Sequence, residues 1–193
     1  VGSSNTIIYT MYKESNTKIP KEIAGIMLSG ILSDTLCLQS PTTTYIDKQA
    51  VLELSQIAQI NYKDYAFEMF KEGTSLEGLT KYQVIKSDFK TFPHDDKKFA
   101  IGQVFTLDKD RIFNELDEYL KVLEEIKEKE GYKFIILIVT DIIKNGSYLL
   151  YTNDAKNILE SAYSIKDIKQ TYYVDGLVSR KKQILPLILD ELN

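Results

Sequence analysis

Near Gly73 the hydrophobic pattern of this chain changes its period. Before that point apolar residues recur every three or four positions, the spacing of one helix face. After it they gather in short β-branched and aromatic runs, the pattern of strands. Two patterns in separate blocks imply two pieces: an all-helical segment over residues 1–73 and a compact α/β unit over 74–193, with Gly73-Thr74-Ser75 as the boundary.

In the first block, the cap-type residues Ser3, Ser4 and Asn5 precede Ile7, Ile8, Met11 and Tyr12, which predicts a helix beginning almost at once. "IPKEIAGIMLSGILSD" is apolar nearly all round and reads as a buried helix with Pro20 at its start. A loop then leads to a helix with Val51, Leu52, Leu54, Ile57 and Ile60 inward, and a shorter helix stops at Gly73. A segment this short of strands is expected to pack on something the chain does not contain.

In the second block, "QVIKSDFKTF", "KKFAIGQVFTL", "YKFIILIVTDII", "SYLLYT" and "QTYYVDGLVS" read as β-rich. A long helix over 109–130 lies among them, with Ile112, Phe113, Leu116, Leu120, Leu123 and Ile126 on one face and a solvated Glu/Lys face opposite. Asn145-Gly146 is the strongest hairpin signal. The expected fold is a mixed β-sheet with flanking helices.

The 193 residues are 44% hydrophobic and 27% charged with a net charge of −4, which argues against a nucleic-acid partner but leaves room for a local cationic pocket. The lone Cys37 sits in an apolar run and reads as a small hydrophobe. No signal-peptide pattern and no apolar span near ~20 residues is present, so no membrane partner and a cytoplasmic location are the expectation. The chain opens on Val1 without an initiator Met, which suggests a fragment or a processed piece.

Three stretches carry candidate chemistry. In "GLVSRKKQILPLI" the cations Arg180, Lys181 and Lys182 are consecutive. Pro186 cannot lie deep in a helix, so the last helix should start near Leu185 and leave Ser179–Gln183 on its approach loop. Such a loop can hold an anion with backbone N–H groups and long cationic side chains, although a solvated turn accounts equally for three cations. Asp34 interrupts an apolar helix near its end, where burial would demand compensation; the plainer reading is a cap, or bonds from Thr35 and nearby N–H groups. His94 in "FPHDDKKF" reads as a surface loop, because neighbouring side chains on a turn diverge and no other His exists to complete a metal site. No GxGxxG, P-loop or GxSxG pattern occurs.

Taken together, "VGSSNTIIYTMYKE", "IAGIMLSGILSDTLCLQSPT" and "GLVSRKKQILPLI" resemble the C-terminal portion of family II inorganic pyrophosphatases, in the DHH phosphoesterase superfamily. The resemblance covers essentially the whole chain. It implies that residues 1–73 are the tail of a DHH catalytic domain and 74–193 a DHH-associated substrate-binding domain, with the active site between the two domains. It implies hydrolysis of pyrophosphate with Mn²⁺ or Co²⁺, and Mg²⁺ possible alongside substrate. Asp34 matches the SDT-type aspartate, a metal ligand. Arg180 and Lys181 match the "SRKKQ" pair that binds substrate phosphate, and Lys90 in "IKSDFKTF" matches a further substrate lysine. Ser179, Lys182 and Gln183 belong to the motif without an assigned role. HxxxDxD and DHH motifs are absent, so the resemblance implies a missing N-terminal DHH domain, an incomplete metal site and a chain inactive by itself, with a homodimer possible for the intact enzyme and room for regulatory CBS modules upstream. A DHH-family exopolyphosphatase and a non-catalytic phosphate-binding or regulatory module are the alternatives.

Overall fold

Local hydrogen-bond chemistry decides where the helices begin. Ser3 caps α1 (Ser4–Glu14), its hydroxyl accepting from the Asn5 N–H. Thr44 and Asp47 close a reciprocal capping box at the start of α3 (Tyr45–Ala58). In the computed structural model, which describes residues 1–95 and 97–192, the chain divides into two units, Val1–Gly73 and Thr74–Asn193.

The first unit is helical, with α2 (Lys21–Asp34) packed on α1, α3 and α4 (Tyr62–Gly73). Met27, Leu28, Ile31 and Leu32 of α2 meet Ala50, Val51 and Leu54 of α3 and Ala66 of α4 in one core. Gly30 of α2 leaves room for the Asn5 side chain of α1, since a Cβ there would lie 2.1 Å from Asn5 Nδ2. Burial on α1 departs from the sequence expectation. Thr6 and Tyr9 face inward, whereas Ile7, Ile8 and Met11 are exposed, as are Ile26 of α2 and Leu52 of α3. The inward face of α1 is chosen by a polar anchor, Thr6 to Asp47, which a hydrophobic pattern does not register.

The second unit is a five-stranded sheet in the order β1 (Phe89–His94), β2 (Lys97–Thr106), β3 (Ile135–Asp141), β4 (Gly146–Tyr151) and β5 (Tyr172–Asp175). Strands β2 and β3 are parallel and the other pairs antiparallel, so this is the expected α/β fold with a mixed sheet. The parallel pair demands a crossover, which α6 (Asp110–Phe113) and α7 (Leu116–Glu130) supply. Every residue of β3 is buried, because both faces of the sheet are covered. Ile135, Leu137 and Val139 pack with Leu123 and Ile126 of α7, while Ile136 and Ile138 pack with Leu159 of α8 (Lys156–Ala162) and Ile188 of α9 (Leu185–Leu192).

Two local expectations change, and the hairpin expectation holds. "QVIK" forms part of a helix, α5 (Lys81–Lys86), because Thr80 and Gln83 make a capping box ahead of it; the strand begins only at Phe89. The long helix breaks at Asn114 and Glu115 into α6 and α7. Asn145-Gly146 does lie at the β3–β4 hairpin, but Gly146 is the first residue of β4. A Cβ there would sit 2.2 Å from Tyr173 Oη, so close approach of β5 requires the glycine.

Candidate functional site

Pro186 has no N–H to continue an α-helix backward and would collide with the carbonyl of Lys182. The chain meets this constraint by starting α9 at Leu185, as the sequence predicts, but the segment before it is not a loop. Residues Arg180–Ile184 form a π-helical turn, in which the Leu185 N–H reaches back five residues to the Arg180 carbonyl. The wider turn relieves the crowding that proline imposes, and single π turns of this kind recur at functional sites. Ser179 caps it, its hydroxyl accepting from the Lys182 N–H.

Two glutamines pin this turn. Gln183 Oε1 accepts from the N–H groups of Val178 and Ser179, at 3.0 and 2.9 Å, and its Nε2 donates to the Gly176 carbonyl at 2.7 Å. Gln103, buried in β2, donates through Nε2 to Thr140 Oγ1 and to the Val178 carbonyl, while its Oε1 accepts from the Arg180 N–H. Thr140 in turn meets Ser147 Oγ, which donates to the Leu177 carbonyl. This buried polar chain crosses three strands and fixes the backbone over 177–180, and in a low-dielectric interior each satisfied bond holds its neighbours in place. Gln183 was a motif member without a role; its geometry now supplies one. Gln103 escaped the sequence reading, although a glutamine inside "AIGQV" is the sort of buried polar residue that needs partners.

Arg180 is not a free cation. Nη2 donates to Asp88 Oδ1 at 2.9 Å, and Nη1 donates to the carbonyls of Asp88 and Ile101 at 2.7 and 3.3 Å; the side chain is 13% exposed. Ile101 is the cross-strand partner of Lys90, so the turn and the Lys90 region of β1 are tied together within the second unit. Lys90, Lys181 and Lys182 are exposed, and their ammonium groups pair with no described residue.

Asp34 belongs to the first unit, where it ends α2 and is exposed, so the burial cost considered for it does not arise. Its Oδ2 accepts from Ser3 Oγ at 2.7 Å. Thr35 does not bond to it; the Thr35 hydroxyl donates to the Ile31 carbonyl and accepts from the Leu38 N–H. Behind Asp34 the backbone turns left-handed at three successive residues, Leu36, Cys37 and Leu38, with φ of 48, 51 and 67°. Each such residue costs about 1–2 kcal/mol, and bonds such as Cys37 N–H to the Leu32 carbonyl hold the turn shut. Cys37 packs partly against the core, and burial pushes its thiol up, as a small hydrophobe requires.

Beneath this turn the fully buried Asp47 accepts from the N–H groups of Gly2 and Thr44 and from the hydroxyls of Thr6 and Thr44. Burial alone would push its carboxyl up, but those bonds together outweigh it and bring the group down to about 2. Asp47 therefore anchors the segment ahead of α1, and with it Ser3.

His94 is not on a loop. It ends β1 and lies 3.3 Å from Asp95, while Asp96 of the same His-Asp-Asp run lies outside the described residues. Among the described residues no group of three or more His, Cys, Asp and Glu side chains could hold a metal ion. Asp34 fits a hard divalent cation as one carboxylate ligand and does not make a metal centre by itself. No helix among the described residues is long and apolar enough to cross a membrane.

A family model described as the DHHA2 domain matches residues 67–190. A Clostridium acetobutylicum protein described as a probable manganese-dependent inorganic pyrophosphatase is 40% identical over 186 residues, covering 96% of this chain and 60% of that protein. A Bacillus cereus (strain B4264) protein of the same description is 40% identical over 190 residues, covering 98% of this chain and 62% of that protein. Among solved structures, a Methanococcus jannaschii chain described as a candidate family II inorganic pyrophosphatase superposes with a TM-score of 0.83 at 34% identity, covering 100% of this chain and 66% of that one. The chain thus spans about three fifths of the length of the curated relatives it matches.

Proposed function

This chain belongs to the DHHA2 domain family, and on that footing we propose that it is the C-terminal portion of a manganese-dependent inorganic pyrophosphatase, a cytoplasmic enzyme that hydrolyses pyrophosphate to two phosphates. The observation that carries the proposal is the cationic turn. Arg180 is oriented beside β1, while Lys90, Lys181 and Lys182 remain unpaired by described residues in a chain of net charge −4. That arrangement suits a densely charged anion such as a phosphate group.

In this reading Arg180 grips one phosphate through parallel N–H groups, and Lys90 and Lys181 neutralise charge that builds on its oxygens as the bridging bond breaks. Asp34 contributes one carboxylate to the metal site, and the remaining ligands come from a DHH domain outside these 193 residues. When bound, the metal supplies a water acidified toward hydroxide and a positive charge near the phosphorus. Ser3 orients Asp34 for that task, as outer partners of metal ligands do.

The test is pyrophosphate hydrolysis with Mn²⁺ by the full-length protein containing this chain, beside its Arg180→Ala and Asp34→Ala variants. We expect turnover by the parent and a loss of about 10²–10³-fold for Arg180→Ala, the scale of one lost charge-stabilising donor. The 193-residue chain alone should give none. Near-normal turnover by Arg180→Ala removes the clamp assignment, and faster release of phosphate from longer polyphosphate than from pyrophosphate points to an exopolyphosphatase instead.

A further inference from the structure

The five N–H donors of Arg180 are unequally spent. Both Nη1 hydrogens go to backbone carbonyls, of Asp88 and Ile101, and one Nη2 hydrogen goes to Asp88 Oδ1. Asp88 thus grips the Nη1–Nη2 end of the guanidinium with two of its own oxygens, one from the backbone and one from the side chain. The Nε–H and the second Nη2 hydrogen have no partner among the described residues. In a planar guanidinium those two hydrogens form the other edge of the fork, parallel and spaced to meet two oxygens of one phosphate.

We propose that Asp88 is a positioning residue for anion binding: it clamps the inner end of Arg180 so that the outer edge is presented to a phosphoryl group. This rests on the phosphate-binding role of Arg180 given above. Asp88 cancels much of the Arg180 charge, so Arg180 supplies direction, and the attraction comes from Lys90, Lys181 and Lys182. Asp88 is suited to the role because its own position is fixed. Its carbonyl also accepts from the Gln103 N–H at 2.9 Å, which places it at the start of the β1–β2 ladder. Just before it, Lys86 pairs with Glu130 at 2.7 Å and lies 3.9 Å from the Phe89 ring centroid. A free arginine would instead have to freeze several rotors on binding, a cost that preorganisation removes.

The experiment is NMR on the metal-free full-length protein containing this chain, observing the Arg180 side-chain N–H signals while inorganic pyrophosphate is added. In the parent chain the Arg180 Nη signals should be separate, because rotation of the held end is slow, and pyrophosphate should shift the Nε–H signal. In Asp88→Ala the backbone carbonyls still hold Nη1 and only Nη2 loses its acceptor, so the Nη2 signals should broaden and move and the apparent pyrophosphate dissociation constant, read at Nε–H, should rise severalfold. Asp88→Asn keeps a side-chain oxygen in the same place without the charge, and should hold that constant within about threefold of the parent. Unchanged Nη signals and affinity in Asp88→Ala overturn the inference while leaving the clamp intact. Binding more than about tenfold tighter by Asp88→Asn overturns it too, since the main effect of Asp88 would then be to oppose the anion. No Nε–H response in the parent chain overturns the clamp reading itself and the inference with it. Should Asp88→Ala fail to fold, Asp88→Ser supplies the variant without the carboxylate.

Discussion

Ser3 Oγ donates to Asp34 Oδ2 at 2.7 Å, tying the residue that caps α1 to the residue that ends α2. One hydroxyl therefore performs two tasks, because the same oxygen accepts from the Asn5 N–H. The link places the exposed Asp34 carboxylate by a contact that is itself buried at Ser3.

Replacing Ser3 by Ala removes both bonds. We expect a loss of about 1–2 kcal/mol in denaturant unfolding, the usual range for a lost N-cap together with one side-chain bond. Ser3→Thr keeps the hydroxyl and should recover part of it. A loss of under about 0.3 kcal/mol in Ser3→Ala would show that the cap bond contributes little.

Two glycines of α2 should respond with opposite sign. A Cβ on Gly30 would meet the Asn5 side chain at 2.1 Å, whereas a Cβ on Gly25 meets nothing within 4 Å. Gly25→Ala should raise stability by about 0.5–1 kcal/mol through reduced backbone entropy in the unfolded chain. Gly30→Ala should lower it by about 1 kcal/mol, because the Asn5 side chain has to leave its place against α2. Melting temperatures of the two variants, measured side by side, check the prediction.

Asp47 makes stability acid-sensitive in a defined window. Its carboxyl falls from 3.8 to about 2 on folding, so between those values the unfolded state binds more protons than the folded state. Stability then falls with falling pH: the contribution of about 2 kcal/mol is complete above pH ~4 and is lost as pH drops through ~2. Asp47→Asn should lose stability at neutral pH and flatten the profile in that window. A parent and a variant with parallel profiles from pH 5 to pH 2 would refute the assignment.

Gln183 should be visible in amide exchange. Its side chain is the acceptor for the N–H groups of Val178 and Ser179, so Gln183→Ala leaves both without that partner. Exchange at those two amides should accelerate well beyond the change at the core strand β3, with a global loss of about 1–3 kcal/mol. Uniform acceleration across the second unit would mean that Gln183 stabilises the unit as a whole and not the turn in particular.

Much of the architecture was legible because it follows from local rules. Alternating and 3.6-residue periods separate strands from helices, Pro186 sets the start of α9 at Leu185, and Ser3 announces α1. Even the misread α5 carried its own sign: Thr80 and Gln83 stand at capping-box spacing, and this local signal outweighs the β-branched residues that follow. The substrate roles proposed for Lys90, Arg180 and Lys181 come from the family resemblance and not from charge alone.

What the sequence by itself determined is most of the elements, the start of α9 and the cationic composition of the turn before it. These depend on interactions within a few residues, where spacing along the chain equals spacing in space. Only the tertiary structure decided which polar groups meet. Arg180 finds Asp88 across 92 residues and Gln103 across 77, and Asp47 finds Gly2 across 45. No periodicity encodes such a meeting, because each partner is a single polar group brought into range only when the sheet or the helices have packed.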